Sequence, residues 1–347
     1  MKDFNYCAPT RVIFGKNTEL EVGKALKNAG ATRVLMQYGG GSIKKSGLYD
    51  RVVKAIRDEG IELFELGGVQ PNPHLSLVRK AIEIVREQKI DYLLAVGGGS
   101  AIDSTKATAV GAMYDGDVWD FYCGKAVPKK AMPVGVVLTI PAAGSEGSNS
   151  SVITKEEGGV KRGYNDEICR PKFAIMNPEL TMTLPDYQTA CGCTDILMHT
   201  MERYFTQGDS LEITDSIAEG LLRTVMAQAV ILRDDPKNYD ARAEVMWAGS
   251  LSHNGLTGCG HSESDFASHR LEHELGGMFD VAHGAGLAAV WGSWARYVYK
   301  NCLPRFVRFA RNVMGVEAGL SDEETALRGI ENMEDFFPSI HMPTSLS

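Results

Sequence analysis

The 347-residue chain carries no excess of positive charge: 36 Lys and Arg against 44 Asp and Glu leave a net charge of −8. A surface of that sign disfavours nucleic acid and anionic membranes as partners, and no run of Lys or Arg reverses it locally. No apolar stretch approaches the ~20 residues that span a bilayer. The opening residues 1–6 lack the apolar core of a secretory signal. The seven cysteines are scattered and odd in number, which builds no disulfide framework and fits a reducing compartment. Cys191 and Cys193 form the one close pair; with no second pair to complete a four-sulfur zinc site, both read as small buried hydrophobes. These absences predict a cytoplasmic protein whose partners are small molecules, with no nucleic acid and no membrane.

The length exceeds one ordinary core and predicts two domains, 1–184 and 185–347. From residue 10 to about 140, short apolar runs alternate with amphipathic stretches. Strands are expected at 33–37, 61–65, 92–96 and 134–139, with helices near 17–29, 43–59, 74–88 and 100–113. That rhythm predicts a parallel α/β sheet covered on both faces. After Leu184-Pro185 the pattern turns helical, over 186–205, 211–232, 238–258, 263–277 and 283–313, with Asp186 or Thr189 placed to cap the first helix. The second domain is therefore expected to be all-α.

Two glycine-rich turns stand out in the first half. Val96-Gly97-Gly98-Gly99-Ser100 follows an apolar strand and opens a helix, and Tyr38-Gly39-Gly40-Gly41-Ser42 repeats the arrangement earlier. Glycines let a phosphate approach the backbone, and the free N–H groups of a helix start attract it. Two such turns suit a dinucleotide along the carboxyl edge of the sheet, although neither has the GxGxxG spacing. The 38–42 turn offers no carboxylate to an adenosine ribose, whereas Ser42, Lys44 and Lys45 suit a 2′-phosphate. NADP(H) is therefore expected over NAD(H), with Lys161 a further candidate contact.

The second half carries the other concentration of chemistry. His269, His273 and His283 fall within fifteen residues of helix-compatible sequence, and Asp195 and His199, four apart, share one helix face. An acid with several imidazoles suits Fe(II), Zn(II) or a neighbouring metal better than Mg or Ca. His253 and His261 flank a glycine-rich connection and read as surface or packing residues. His74 reads as a helix start, and Trp247, Trp291 and Trp294 as core.

Taken with Pro71-Asn72-Pro73, Asp103 and Leu138-Thr-Ile-Pro-Ala-Ala-Gly-Ser-Glu146, these stretches resemble the iron-containing (group III) alcohol dehydrogenase family. The similarity is to its butanol dehydrogenase and NADPH-dependent aldehyde reductase branch. It implies a dehydroquinate synthase-like fold and a homo-oligomer such as a dimer. It also implies one metal held by Asp195, His199, His269 and His283, and a dinucleotide contacting Gly40, Gly41, Ser42, Asn72, Gly98, Gly99, Ser100, Asp103, Thr139 and Lys161. His273 is left unligated, to position substrate or relay a proton. The chain departs from the family in having Ala142 and Ala143 where a threonine is usual. Family members also commonly run some tens of residues further, so a chain ending at Ser347 would lack the closing helices of the second domain.

The chemistry expected is reversible hydride transfer between NADP(H) and a primary alcohol or aldehyde such as butanol or butanal, with the metal as Lewis acid. The same fold also serves polyol dehydrogenases and a phosphate-releasing lyase, but the helical half sets few cations beside its histidines. A rival from another class is a metallohydrolase, because His269-Arg-Leu-Glu272-His273 matches the H-x-x-E-H of inverted zincins.

Overall fold

The computed structural model describes residues 1–208, 211–264 and 266–346. The chain forms two compact units, one of Pro9–Ile140 with Ser145–Thr183 and one of Met1–Ala8, Pro141–Gly144 and Leu184–Ser347. The chain thus enters the helical unit twice before residue 184.

The first unit contains strands β1 (Arg11–Phe14), β2 (Arg33–Tyr38), β3 (Glu62–Leu66), β4 (Tyr92–Gly97), β5 (Val134–Leu138), β6 (Ser150–Lys155), β7 (Val160–Asn165) and β8 (Phe173–Met176). Its helices are α1 (Val22–Asn28), α2 (Ser42–Lys45), α3 (Leu48–Asp58), α4 (Leu75–Glu87), α5 (Gly99–Gly111) and α6 (Trp119–Tyr122). Six strands form a parallel sheet in the order β1-β8-β5-β4-β2-β3, while β6 and β7 pair as an antiparallel hairpin. β4, β5 and β8 are unbroken apolar runs because both faces are covered, and β2 departs from this at Arg33 and Gln37. Val34, Met36 and Tyr38 of β2 pack with α1 and α3 on one side. Gln37 faces the other way and donates to Thr108 of α5. A second cluster joins Leu75, Val78 and Ile82 of α4 to Ala107 and Val110 of α5.

The four strands expected in this half are present. β1, β6, β7 and β8 were not anticipated: β1 and β8 have only four residues each, too short for a periodic signal, and the β7 face is largely polar. The helix expected over 43–59 is broken into α2 and α3 at Gly47, whose φ of 71° no helix accepts.

The second unit contains α7 (Asp186–Tyr204), α8 (Glu212–Asp234), α9 (Tyr239–His253), α10 (Ala267–Phe279), α11 (His283–Val298), α12 (Leu303–Asn312) and α13 (Asp322–Ser339). Among the described residues no helix is long and apolar enough to cross a membrane. The stretch expected over 238–258 stops at His253, and that over 283–313 divides at a short 3-10 turn before Pro304. Neither Asp186 nor Thr189 caps α7: Pro185 occupies the cap, and Thr189 accepts from Arg242 inside the helix. α13 was not placed by periodicity, although Ser321 and Glu324 form a reciprocal capping box at its start. Trp291 and Cys193 lie in the core with Phe309 and Phe337, whereas Trp247 is largely exposed.

The core of this unit contains a fully buried ion pair, Arg305 with Asp215. Arg305 grips both oxygens of Asp215 at 2.5 and 2.7 Å and donates twice to the Tyr204 carbonyl, with its guanidinium over the Tyr204 ring. Asp215 also accepts from the Leu211 N–H at the start of α8, and His261 Nε2 lies 3.0 Å from it. Burial alone would raise the Asp215 pKa, but His261 and Arg305 outweigh it and hold the carboxyl below the usual range. Breaking such a pair strands a buried charge. Asp215→Asn is expected to lower unfolding stability by about 3–5 kcal/mol at pH 7 in urea titrations. Because the folded carboxyl titrates below its unfolded value, its contribution is present above the unfolded pKa and fades as pH falls below it. The deficit of the variant should therefore shrink in acid; a deficit independent of pH would contradict this account.

Candidate functional site

The α/β unit brings its glycine turns together by sheet order. Tyr38 at the end of β2 pairs with Val96 of β4, and Gly97 pairs with Leu138 of β5. The turns after β2 and β4 therefore lie side by side at the carboxyl edge, with Thr139 bonded to the Gly97 carbonyl at 3.0 Å. Gly41 has φ 142°, and a side chain there would be strained although space around it is open. Gly98 caps α5 with no side-chain bond, leaving first-turn N–H groups unmatched by any side-chain cap. Gly68 and Val69 donate to the carbonyls of Gly39 and Tyr38, so the segment leading to Asn72 runs past the first turn. Asn72 itself is left-handed, with φ 53°.

Asp103 and the buried Lys106 of α5 brace this edge. Asp103 Oδ1 accepts from Ser145 at 2.5 Å and Oδ2 from the Val152 N–H at 2.9 Å. Burial pushes its carboxyl up, against the pull of Lys106, Ser145, Val152 and Lys161. Asp103, expected to touch the cofactor, is half-buried and bonded to β6 of the hairpin whose second strand carries Lys161. Lys106 escaped the sequence reading. Its Nζ is fully buried and donates to Ser145 Oγ, the Ser148 carbonyl and hydroxyl, and the Ser150 carbonyl at 2.8–3.3 Å. Burial pushes Lys106 down to about 8, against the opposing charge of Asp103.

In the helical unit the predicted histidines converge on one carboxylate. Asp195 and His199 lie one turn apart on α7 and are both buried. Around Asp195 Oδ1 stand His199 Nδ1 at 3.0 Å, His269 Nε2 at 3.6 Å and His283 Nε2 at 3.7 Å. His269 comes from α10 and His283 from the first residue of α11. A further set, Glu272, His273 and His283, also has mutually close ligand atoms, with the His273 and His283 rings 5.9 Å apart. His273 therefore sits beside the cluster without joining Asp195, His199 and His269. Asp195 Oδ1 and His269 Nε2 are buried and receive no hydrogen bond of acceptable geometry. Two atoms that share a tetrahedral ion at ~2.1 Å stand about 3.4 Å apart, close to the 3.6 and 3.7 Å that separate His269 and His283 from Asp195. The donor set and its unmatched atoms fit a first-row divalent cation.

The electrostatics follow from this crowding. Burial would raise the Asp195 pKa, but His199 and His283 hold it well below the usual range. Burial pushes His199 down to about 4, whereas in His269 the carboxylates of Asp195 and Glu202 overcome burial and push it up to about 9. Two glutamates back these rings, and both are buried; Glu202 was missed by sequence reading, and Glu272 was read only as the glutamate of the H-x-x-E-H match. Glu202 accepts from His269 Nδ1 at 3.2 Å, and Glu272 accepts from His283 Nδ1. Glu272 is thus engaged with His283, and His269 and His273 fall in separate groups, unlike the shared zinc pair that H-x-x-E-H would need. His253, expected at the surface or in packing, lies with its ring 4.0 Å from that of His199, while Phe266 stands 5.4 Å from the His269 ring and carries Arg203 on its face.

The sequence profile of the iron-containing alcohol dehydrogenases matches residues 9–178, and that of the C-terminal domain of the Fe-containing alcohol dehydrogenase family matches 189–347. The chain belongs to the iron-containing alcohol dehydrogenase family. It is an alcohol/aldehyde oxidoreductase of the butanol dehydrogenase and aldehyde reductase branch. It is 42% identical over 348 residues to the probable NADH-dependent butanol dehydrogenase 1 of Bacillus subtilis, covering 100% of this chain and 89% of that one. Identity to the NADPH-dependent aldehyde reductase YqhD of Escherichia coli is 38% over 351 residues, with coverage of 100% and 89%. The crystal structure of NADH-dependent butanol dehydrogenase A from Thermotoga maritima superposes with a TM-score of 0.97 at 43% identity, covering 100% of this chain and 86% of that one.

In this member of the family, delivery of His283 to Asp195 depends on close helix contact. A Cβ on Gly284 would stand 2.2 Å from the Cys191 carbonyl oxygen of α7, so only glycine lets α11 start there. Gly284→Ala is expected to cost about 1–3 kcal/mol of unfolding stability in urea titrations. A change within experimental error would show that α11 tolerates displacement.

Proposed function

We propose that this chain catalyses reversible hydride transfer between NADP(H) and a primary alcohol or aldehyde, with butanol and butanal as the test pair, using one divalent cation, Fe(II) or Zn(II). The observation that carries the reading is the buried Asp195 oxygen ringed by three imidazoles and left without a hydrogen bond. Asp195, His199, His269 and His283 would hold the cation. When bound, it would supply a Lewis acid to the substrate oxygen, stabilising the alkoxide that an aldehyde becomes on gaining hydride and from which hydride leaves in the reverse direction. His273, half-buried beside His283, holds or passes the proton that the oxygen exchanges with solvent.

At the sheet edge, Gly40, Gly41, Ser42, Gly98, Gly99 and Ser100 would take the pyrophosphate, with Asn72, Thr139 and Lys161 as further contacts. Asp103 acts through α5 and the hairpin it anchors. The NADP(H) preference rests on exposed Ser42, Lys44 and Lys45. Lys44 Nζ stands over the rings of Tyr38 and Tyr49, and Glu65 on the neighbouring strand is already held by both tyrosine hydroxyls. Against it, butanol dehydrogenase relatives at 38–42% identity are named NADH-dependent.

The test is NADPH and NADH oxidation with butanal, on protein stripped of metal and then reloaded with Fe(II) or Zn(II). Metal-dependent turnover with NADPH favoured is expected; faster NADH turnover would overturn the nucleotide preference alone, and no turnover with any metal would overturn the aldehyde reading. Removing one charge-assisted phosphate contact costs ~1.5 kcal/mol. Lys44→Ala should accordingly raise KM for NADPH about tenfold and leave KM for NADH unchanged, and an equal change for both would remove Lys44 from phosphate recognition.

A further inference from the structure

The three imidazoles facing Asp195 each have a different second partner, and for His269 and His283 that partner lies on the ring's far side. His199 Nδ1 lies 3.0 Å from the Asp195 backbone carbonyl. His269, on α10, is held from α7: a single oxygen of Glu202 accepts both its backbone N–H at 3.1 Å and its Nδ1 at 3.2 Å. His283, on α11, is held from α10 by Glu272 through Nδ1. Glu202 and Glu272 are 3% and 0% exposed, too deep to be solvent-facing charges. A Cβ on Gly286 would lie 2.9 Å from Glu272 Cγ, so the backbone of α11 leaves room for that carboxylate.

An imidazole whose Nδ1 carries the proton has its lone pair on Nε2, and Nε2 is the atom that both His269 and His283 turn toward Asp195. The pattern runs from helix to helix: the glutamate of α7 orients the histidine of α10, and the glutamate of α10 orients the histidine of α11. Asp195, His199 and Glu202 occupy positions i, i+4 and i+7 of α7, so one stripe of that helix supplies a carboxylate, an imidazole and an outer brace.

We propose that Glu202 and Glu272 are positioning residues that fix His269 and His283 as Nε2 ligands and set the affinity of the site for its metal, so that the H-x-x-E-H segment contributes an outer carboxylate in place of a general base. This rests on the reading that Asp195 and the three histidines take up a cation. Buried carboxylates in this relation to ligand histidines typically change metal affinity 10–100-fold when altered.

The experiment compares wild type, Glu202→Gln and Glu272→Gln by competition of Zn(II) against a chelator, with melting temperatures of the metal-free proteins alongside. Each variant is expected to bind Zn(II) about 10–100-fold more weakly, with metal-free melting little changed and the melting increment on loading reduced. Zn(II) affinity within threefold of wild type in both variants would overturn the proposal, as would loss of affinity only in step with loss of metal-free stability. Wild type that binds no Zn(II) would remove the metal-site reading itself. Should a variant fail to fold, 15N NMR of the Zn(II)-loaded wild type decides: protonated Nδ1 in His269 and His283 is the expected result, and protonated Nε2 in either overturns it.

Discussion

The helical unit is organised around a carboxylate that has been taken out of water. Asp195 is 4% exposed, and an ionised carboxyl so placed costs several kcal/mol unless positive charge or hydrogen bonds meet it. Two of its neighbours, His269 and His283, are imidazoles whose other nitrogens are tied to Glu202 and Glu272, and the third, His199, also has Nδ1 against the Asp195 backbone carbonyl. Three buried carboxylates therefore surround a few ångströms of space lined by ring nitrogens. A divalent cation resolves that concentration of charge more completely than any rearrangement of the side chains present. The close helix contact at Gly284, the packing of His253 on His199 and the outer carboxylates all serve to keep those nitrogens where they are.

The α/β unit solves a different problem, the placement of backbone N–H groups at a shared edge. Its strand order sets the ends of β2, β4 and β5 next to one another, so that two glycine turns and Thr139 form one row. Asp103 and Lys106 stiffen that row from beneath, each fully bonded inside the unit. Their hydrogen bonds join the first turns of α5 and the hairpin carrying Lys161 in one polar network. A change in either should be felt by the other.

Much of this was legible in the residues because the governing signals are local. Apolar runs ending in Gly-Gly-Gly mark β2 and β4, and the i, i+4 spacing of Asp195 and His199 survives any error in helix boundaries. What stayed hidden depends on contacts distant in sequence. Glu202 looks like an ordinary helix-surface acid and Glu272 like the glutamate of an H-x-x-E-H motif until α10 and α11 are brought against α7, and Lys106 looks like a solvated lysine until the 145–150 segment closes over it. β1 and β8 are too short to show a period. The capping box at Ser321 was a readable local signal for α13 that hydropathy alone did not use. Trp247 shows the converse error, since an aromatic residue in a helix is core only if its face is.

The central claim is that Asp195, His199, His269 and His283 hold one divalent cation. Anomalous diffraction from crystals loaded with Zn(II) tests it most directly. The account predicts a single strong peak about 2.0–2.2 Å from Asp195, from Nε2 of His269 and His283, and from a ring nitrogen of His199. A peak seated instead among Glu272, His273 and His283, or no peak in a crystal soaked to saturation, would contradict it.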